Sequence, residues 1–309
     1  MIDVLDKTNV FPHPGSLQEN ATFAAWALEE WKTKREGKQP IVHILNSPSK
    51  HLPGPYSIIG PSSMAMISLP VLSPDAYESI ASDLEKLDPA AALLPGTDKT
   101  VVAGYAAQLK VLAAGVRSNN TSWLQFPNNG GSGGLIFNMH PLSRGYVNIN
   151  ISSPNSEPVV DYRALTNPID LRIDVELFKG VRRFFSSKGE IQKLTPVELA
   201  PGSSVQSDED LAAWVETALG PSAFHPVGTA AKAPLEHGGV VGEDLIVHGI
   251  KRLSIVDASI FPLLVAATTQ STVYAVAEKV SGCFWSHDLL LFEFESRLLM
   301  RIHRHRPPI

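Results

Sequence analysis

The sequence predicts an α+β fold in which a mostly antiparallel sheet is covered by helices. Three observations lead to this prediction. Residues 146–151 alternate apolar and polar side chains, which is typical of a half-buried strand. Several segments place apolar residues at helical spacing behind a capping residue, as in the stretch that begins at Asn167. The apolar run Leu253–Val256 ends on an acid, Asp257, and predicts a short buried strand.

The first half of the chain is predicted to be mainly helical. Helices are expected over residues 20–35, 73–87 and 99–117, where apolar residues recur at helical spacing. The second of these has a strong start, because Ser73 can cap the first turn and the proline that follows fits its first position. A proline- and glycine-punctuated stretch between the first two helices predicts a loop with a short strand at 41–44.

Strands and helices are both predicted in the second half. Strands are expected at 134–140 and 146–151, followed by a helix capped by Asn167 and another capped by Ser207 with Asp210 three residues later. The Leu253–Val256 strand is then followed by a helix from about Thr269.

These elements divide the chain into three predicted parts. They are a substrate-binding region at 1–205, a segment with a candidate site at 206–282, and an atypical tail at 283–309. The glycine-rich run at 128–134 is interpreted as a connector inside the first part.

Composition narrows the function classes. With 309 residues and 44% hydrophobic residues, the chain can bury a sizeable core. The net charge of −5 gives no basic field, so nucleic acid is not expected as a partner. The single cysteine, Cys283, excludes an internal disulfide. We expect no membrane span and see no signal peptide, which predicts a cytoplasmic protein, or a secreted one if the native N-terminus is longer.

The candidate site lies within Phe224–Lys279. His225 stands in a loop stiffened by Pro226 and Gly228, so its ring is expected to be directed rather than free. An acid at the end of a strand and a helix start from about Thr268 are features of ligand sites in α/β sheets. Together these features suggest a cofactor site beside a catalytic base, without metal ligands.

Three ordered motifs in this region carry a family resemblance. Residues 225–229 (His-Pro-Val-Gly-Thr), 256–259 (Val-Asp-Ala-Ser) and 273–279 (Val-Tyr-Ala-Val-Ala-Glu-Lys) resemble the C-terminal signature of the glucose–methanol–choline (GMC) flavin oxidoreductases. The similarity is to the fungal branch, with its aryl-alcohol-oxidase-like and glucose-oxidase-like members. Residues 140–145 and 158–161 resemble strands of the same family's substrate domain, so that the resemblance covers roughly residues 15–282.

The resemblance implies a fold, a cofactor and a reaction. The fold is a GMC-type substrate domain followed by the C-terminal return of a flavin-binding α/β domain. The implied cofactor is FAD, and the implied reaction is oxidation of an alcohol CH–OH group, with hydride passing to flavin N5, in the setting of fungal secondary metabolism. The family's N-terminal dinucleotide-binding unit, with its G-x-G-x-x-G loop, has no counterpart in this sequence. A separate N-terminal FAD-binding half is therefore an implied partner, besides the alcohol.

The site residues follow from the same resemblance. His225 matches the base that takes the hydroxyl proton, and histidine suits this because imidazole gains and loses a proton near neutral pH. Asp257 and Ala258 would lie by the ribityl–pyrophosphate part of FAD. Thr269 and Gln270 would lie near the isoalloxazine ring. The family's second catalytic residue, His or Asn, falls on Thr268, which can share a hydrogen bond but cannot titrate.

Three hypotheses remain open from sequence. The chain is part of a redox GMC enzyme in the first, a non-redox or inactive relative in the second, and a truncated product without independent activity in the third. Thr268 and the missing phosphate loop favour the second. For Asp257 a simple helix cap is the alternative to a cofactor contact.

Overall fold

The computed structural model describes residues 2–3, 21–34, 63–128, 135–194 and 196–281. The chain divides into two compact units. The first is formed by segments 1–87, 110–143 and 163–220, and the second by segments 88–109, 144–162 and 221–309.

The first unit contains two small antiparallel sheets. Strand β1 (Ile2–Asp3) pairs with β7 (Val197–Glu198). Strands β2 (Ser63–Ser68), β3 (Ser122–Asn128) and β4 (Phe137–Asn138) form the other sheet in that order. The predicted antiparallel pairing is confirmed, and β4 lies inside the stretch predicted as a strand at 134–140.

Helices supply the rest of the first unit. They are α1 (Ala21–Lys34), α2 (Leu69–Leu72), α3 (Tyr77–Lys86), α5 (Pro168–Ser186), α6 (Asp208–Ala218) and the C-terminal part of α4 (Lys99–Val116). Helices α5 and α6 pack through a buried cluster of Val175, Phe178, Leu211 and Val215.

The predicted helix caps are confirmed where α5 and α6 begin. The Asn167 side chain accepts a hydrogen bond from the Ile169 amide at 3.0 Å, and Ser207 accepts one from the Asp210 amide at 3.1 Å. Each bond satisfies an amide that has no partner inside its helix.

Helix α3 begins later than its sequence signal indicates. The predicted cap, Ser73, instead donates its hydroxyl hydrogen to Glu176 of α5. Residues 74–76 form a turn, and the helix starts at Tyr77 without a side-chain cap. A tertiary hydrogen bond to a buried carboxylate has replaced the local one.

The second unit is built from short pieces. Strands β5 (Tyr146–Asn148) and β6 (Val159–Asp161) form an antiparallel hairpin. In the sequence, the hairpin is followed by two 3₁₀ helices of this unit, Leu235–His237 and Ala258–Ile260, and then by α7, which covers residues 269–281. The N-terminal part of α4 also belongs to this unit. The predicted start of α7 at about Thr269 is confirmed.

The buried strand predicted at Leu253–Val256 is largely wrong. Only Ser254 makes a β-bridge, antiparallel to Ile246, and Leu253 is 48% exposed. The chain turns too sharply for a longer ladder, because Leu245, next to the bridge partner Ile246, and Arg252, next to Leu253, have positive φ angles of 61° and 65°. The segment is extended rather than helical.

Some predictions fall outside the described residues. These are the strand at 41–44, the glycine run of the connector and the tail from residue 283 onward. Among the helices that are described, none combines the length and apolar character needed to cross a membrane.

Candidate active site

The loop that carries His225 is shaped by its backbone. Phe224 has a φ of 63° and Gly228 a φ of 86°, so two positive-φ residues bracket the histidine. Glycine adopts this conformation without strain, but a bulky aromatic residue does not. Phe224 is also 97% exposed, whereas His225 is half-buried. The loop therefore turns the aromatic ring outward and the imidazole inward.

Backbone hydrogen bonds hold this loop against the Ala258–Ile260 helix. Alternate amides that follow His225 donate to three successive carbonyls of that helix: Gly228 to Ala258 at 3.3 Å, Ala230 to Ser259 at 2.9 Å, and Lys232 to Ile260 at 2.7 Å. Two of the sequence motifs, about 30 residues apart in the sequence, are thus fixed to one another by main-chain contacts.

The third motif joins them through a shared core. Val241, Leu245, Ile260 and Phe261 are buried together, and Val273, Val276 and Val280 of α7 pack on them. Val227, two residues after the candidate base, packs on the same cluster. This core fixes the start of α7 relative to the histidine loop.

The result is a direct contact between His225 and Thr269. Nδ1 of the imidazole lies 2.7 Å from the threonine Oγ1, across 44 residues of sequence. Thr269 is the first residue of α7 and is only 7% exposed. A hydrogen bond with a buried, stiff side chain restricts the orientation of the ring.

The other predicted site residues lie at the surface around this pair. Thr268 and Gln270, on either side of Thr269, are exposed, and Ala258 is half-buried. Asp257 is exposed and caps the 3₁₀ helix, accepting from the Ser259 amide at 2.8 Å. The capping alternative is thus its local role, and a cofactor contact stays a prediction. The role of Thr268 as the second catalytic residue also stays a prediction.

Gln108 links α4 to the loop that follows the Ala258–Ile260 helix. Its Nε2 donates to the Pro262 carbonyl at 2.8 Å, and its Oε1 accepts from Arg144 at 3.1 Å. The Arg144 guanidinium lies over the Tyr105 ring, 5.2 Å from the centroid. These contacts tie the loop after the Ala258–Ile260 helix to a longer helix. Sequence reasoning did not identify Gln108, because nothing local distinguishes it.

A perturbed acid occurs in the first unit. Burial raises the pKa of Asp174 to about 7, and the neighbouring charge of Asp170 adds to this, although a hydrogen bond from Asn138 opposes it. Asp170 itself accepts from the Leu142 and Ser143 amides at 2.6 and 2.7 Å. The only sequence signal was the pair of acids four residues apart in α5, of which Asp170 is buried and Asp174 half-buried.

The first unit also contains a groove of about 620 Å³. Its wall includes the nearly buried Glu176, which accepts from Lys179 at 2.7 Å and from Ser73. None of the predicted site residues lines it. Lys179 also pairs with Asp208 at 3.0 Å, so the charges around Glu176 are largely balanced and the groove is less distinctive chemically than the His225–Thr269 pair.

In the described part of the chain, no three His, Cys, Asp or Glu residues come close enough together to hold a metal ion.

Comparison with known proteins supports the family resemblance of the sequence motifs. Residues 141–277 match the family described as GMC oxidoreductase. The dehydrogenase xptC of Emericella nidulans is 32% identical over 240 residues, which is 75% of this chain and 38% of that protein. A dehydrogenase of Armillaria gallica is 40% identical over 147 residues, 46% of this chain and 22% of that protein.

Solved structures give the same result for the fold. A fungal aryl-alcohol oxidase superposes with a TM-score of 0.78 at 34% identity, covering 91% of this chain and 45% of that one. An FAD-dependent oxidoreductase from Chaetomium thermophilum superposes with a TM-score of 0.77 at 31% identity, with the same coverage. The predicted fold class is confirmed. The chain spans less than half the length of these relatives.

Proposed function

Residues 141–277 are the part of this chain that belongs to the GMC oxidoreductase family, and from this we propose that the chain forms the substrate side of an FAD-dependent enzyme that oxidises an alcohol CH–OH group. His225 is the base in this proposal. The observation that carries it is the His225–Thr269 contact at 2.7 Å, which orients an imidazole beside the segment that the family motifs assign to the flavin.

The residues around His225 fit part of FAD, the cofactor that the family implies. Asp257 and Gln270 expose a carboxylate and an amide, and the first amides of α7 have no partners inside their helix. Such groups suit the polar edge of the isoalloxazine ring and the ribityl hydroxyls. Between 257 and 270 there is no Lys or Arg to meet the pyrophosphate. The fit is therefore to the ring side of the cofactor.

The chemistry divides between cofactor and protein. FAD, when bound, supplies the acceptor for the two electrons that leave the alcohol. His225 takes the hydroxyl proton, because a half-buried imidazole in a rigid loop can meet a substrate from the open side. Thr268, exposed at the start of α7, offers a hydroxyl to the alcohol oxygen. Asp257 and Ala258 would border the ribityl–pyrophosphate region of the bound cofactor.

A second candidate function is a non-redox role on the same fold. The observation that favours it is Thr268, which stands where the family resemblance expects a titratable or amide side chain. One hydroxyl at that position supports binding of an alcohol or carbonyl but gives less help with proton transfer.

Anaerobic flavin reduction tests the proposal. The chain is mixed anaerobically with excess FAD and with benzyl alcohol or ethanol, and FAD with the same alcohol but no protein is the control. We expect loss of the visible flavin absorbance with at least one alcohol, and a His225→Gln variant should slow it by about 10²- to 10⁴-fold. Flavin-loaded protein that is not reduced by any alcohol would favour the non-redox role.

A further inference from the structure

We propose that Thr269 is a positioning residue that holds His225 in a single tautomer, with the proton on Nδ1 and the lone pair on Nε2. The proposal rests on the proposed function for the use of Nε2. The tautomer itself is a property of this chain and can be measured without cofactor or substrate.

The Thr269 hydroxyl is held in place independently of the His225 ring. Thr269 is 7% exposed at the first position of α7, and its helix is anchored by Val273 and Val276 on the core. A β-branched side chain in a helix has few available rotamers. The Oγ1 atom is therefore held in place, and the imidazole adapts to it at 2.7 Å.

The loop that carries His225 is also held in place. Gly228, three residues after His225, donates its amide hydrogen to the Ala258 carbonyl, and Val227 packs on the same core as α7. The contact therefore joins two supported elements rather than two free side chains. A bond in this setting decides which ring nitrogen carries the proton.

Two directions of this bond have opposite chemical consequences. If Thr269 donates to Nδ1, the neutral ring carries its hydrogen on Nε2 and has no lone pair to offer a substrate. If Nδ1–H donates to Thr269 Oγ1, Nε2 is a free acceptor. Only the second direction allows His225 to act as a base through the nitrogen that Thr269 leaves open.

The proton balance is then complete within the site. The O–H bond of the alcohol breaks, a new Nε2–H bond forms, and the electron pair stays on the substrate oxygen. The imidazolium keeps its Nδ1–H bond to Thr269, which becomes stronger because the donor is now charged. Thr269 thus acts through His225, whereas its neighbours Thr268 and Gln270 are exposed.

Nitrogen NMR of the full chain tests the tautomer directly. The protein is labelled with ¹⁵N-histidine and recorded at alkaline pH, where imidazoles are neutral, and the His225 signals are identified by their loss in His225→Gln. We expect the wild type and Thr269→Ser to show protonated Nδ1. Thr269→Val, which keeps the shape but loses the hydroxyl, should shift His225 toward the Nε2-protonated form that free imidazole side chains prefer.

A matched control uses the next turn of the same helix. Thr272 is half-buried in α7, and Thr272→Val should leave the His225 signals unchanged. A wild-type His225 protonated on Nε2 would overturn the proposal, even if the valine variant did not fold. So would a Thr269→Val spectrum identical to the wild type in a folded protein.

Kinetics give a second readout. In flavin-loaded protein, Thr269→Val should lower the rate of alcohol-dependent reduction by about tenfold to a hundredfold with little change in the alcohol concentration at half saturation, because a wrong tautomer affects proton transfer more than binding. Thr269→Ser should restore most of the rate. Unchanged kinetics in Thr269→Val would contradict the positioning role. Wild-type protein that is not reduced would contradict the proposed function and leave the NMR result standing.

Discussion

Phe224, next to the candidate base, adopts a backbone conformation that is unfavourable for its type. Its φ of 63° is in the left-handed region, and its ring is 97% exposed, so packing does not compensate for the strain. An L-residue in this region costs roughly 1–2 kcal/mol, and such residues concentrate at functional sites. We interpret the strain as the cost of turning His225 toward Thr269.

Replacing Phe224 should therefore stabilise the protein. We expect Phe224→Asn to raise the free energy of unfolding by about 0.5–1 kcal/mol, because asparagine tolerates positive φ. Urea denaturation measures this. As a control, Ile250→Asn removes an apolar residue that is 51% exposed and has no positive φ, and it should change stability by less than about 0.5 kcal/mol. Equal effects of the two changes would mean that backbone strain is not the cause.

Asp174 makes stability depend on pH. Its pKa rises from 3.8 to about 7 on folding, so the folded state favours the protonated form. The associated stability is fully present below pH 3.8 and is lost as the pH rises through about 7. Asp174→Asn should therefore match the wild type near pH 4 and be more stable by about 2–4 kcal/mol at pH 8. Urea denaturation across this range measures it, with the exposed Asp75→Asn as a control that should show no such trend.

At the scale of elements, an ion pair joins α5 to β7. Arg182 meets Glu198 through two bonds, Nε to Oε2 at 2.8 Å and Nη2 to Oε1 at 2.6 Å. The side chains are only 13% and 16% exposed, and Glu198 also accepts from the Gly202 amide. The hydrogen bonds from Arg182 hold the pKa of Glu198 below its usual range. Paired, sheltered geometry of this kind is stronger than a surface pair.

Removing the charge of Glu198 should weaken the stabilisation that this ion pair gives to α5 and β7. We expect Glu198→Gln to lower the free energy of unfolding by about 1–2 kcal/mol at neutral pH. Because the pKa is lowered in the folded state, this stabilisation exists above the ordinary carboxyl pKa of 4.5 and is lost as the pH falls through the folded value. Thermal unfolding at pH 7 and pH 3 measures the difference. Glu78→Gln, in the more exposed pair with Arg117, should have a much smaller effect, and a similar one would contradict the argument.

At the scale of the whole molecule, this chain matches 38–45% of the length of relatives such as the Emericella dehydrogenase and the aryl-alcohol oxidase. The glycine-rich phosphate loop that the family resemblance implies is not in its sequence. The net charge of −5 is unfavourable for a pyrophosphate as well. Under the proposed function, the residues expected to contact FAD are those on the ring side of the candidate site.

The isolated chain should therefore bind FAD weakly. Each missing charge-assisted hydrogen bond to the pyrophosphate is worth about 1.5–3 kcal/mol, so losing several weakens binding by orders of magnitude. Titration of the chain followed by flavin fluorescence measures Kd, and riboflavin, which lacks the pyrophosphate, is the matched ligand. We expect similar, weak values for both. A Kd for FAD below about 1 μM, with riboflavin much weaker, would mean that another segment of this chain binds the phosphates.

The sequence by itself determined the class of the fold, the helix caps at Asn167 and Ser207, the start of α7 and the family of the site. These features depend on neighbours within a few residues or on motifs that can be recognised in the sequence alone. It did not determine which threonine meets His225: it assigned Thr268 to the reaction and Thr269 to the flavin, and the structure joins Thr269 to the histidine. Likewise, it did not determine that Ser73 hydrogen-bonds Glu176, 103 residues away, instead of capping its own helix. Hydrogen bonds act over about 3 Å, so contacts across long loops are decided by how the core packs, which only the tertiary structure contains.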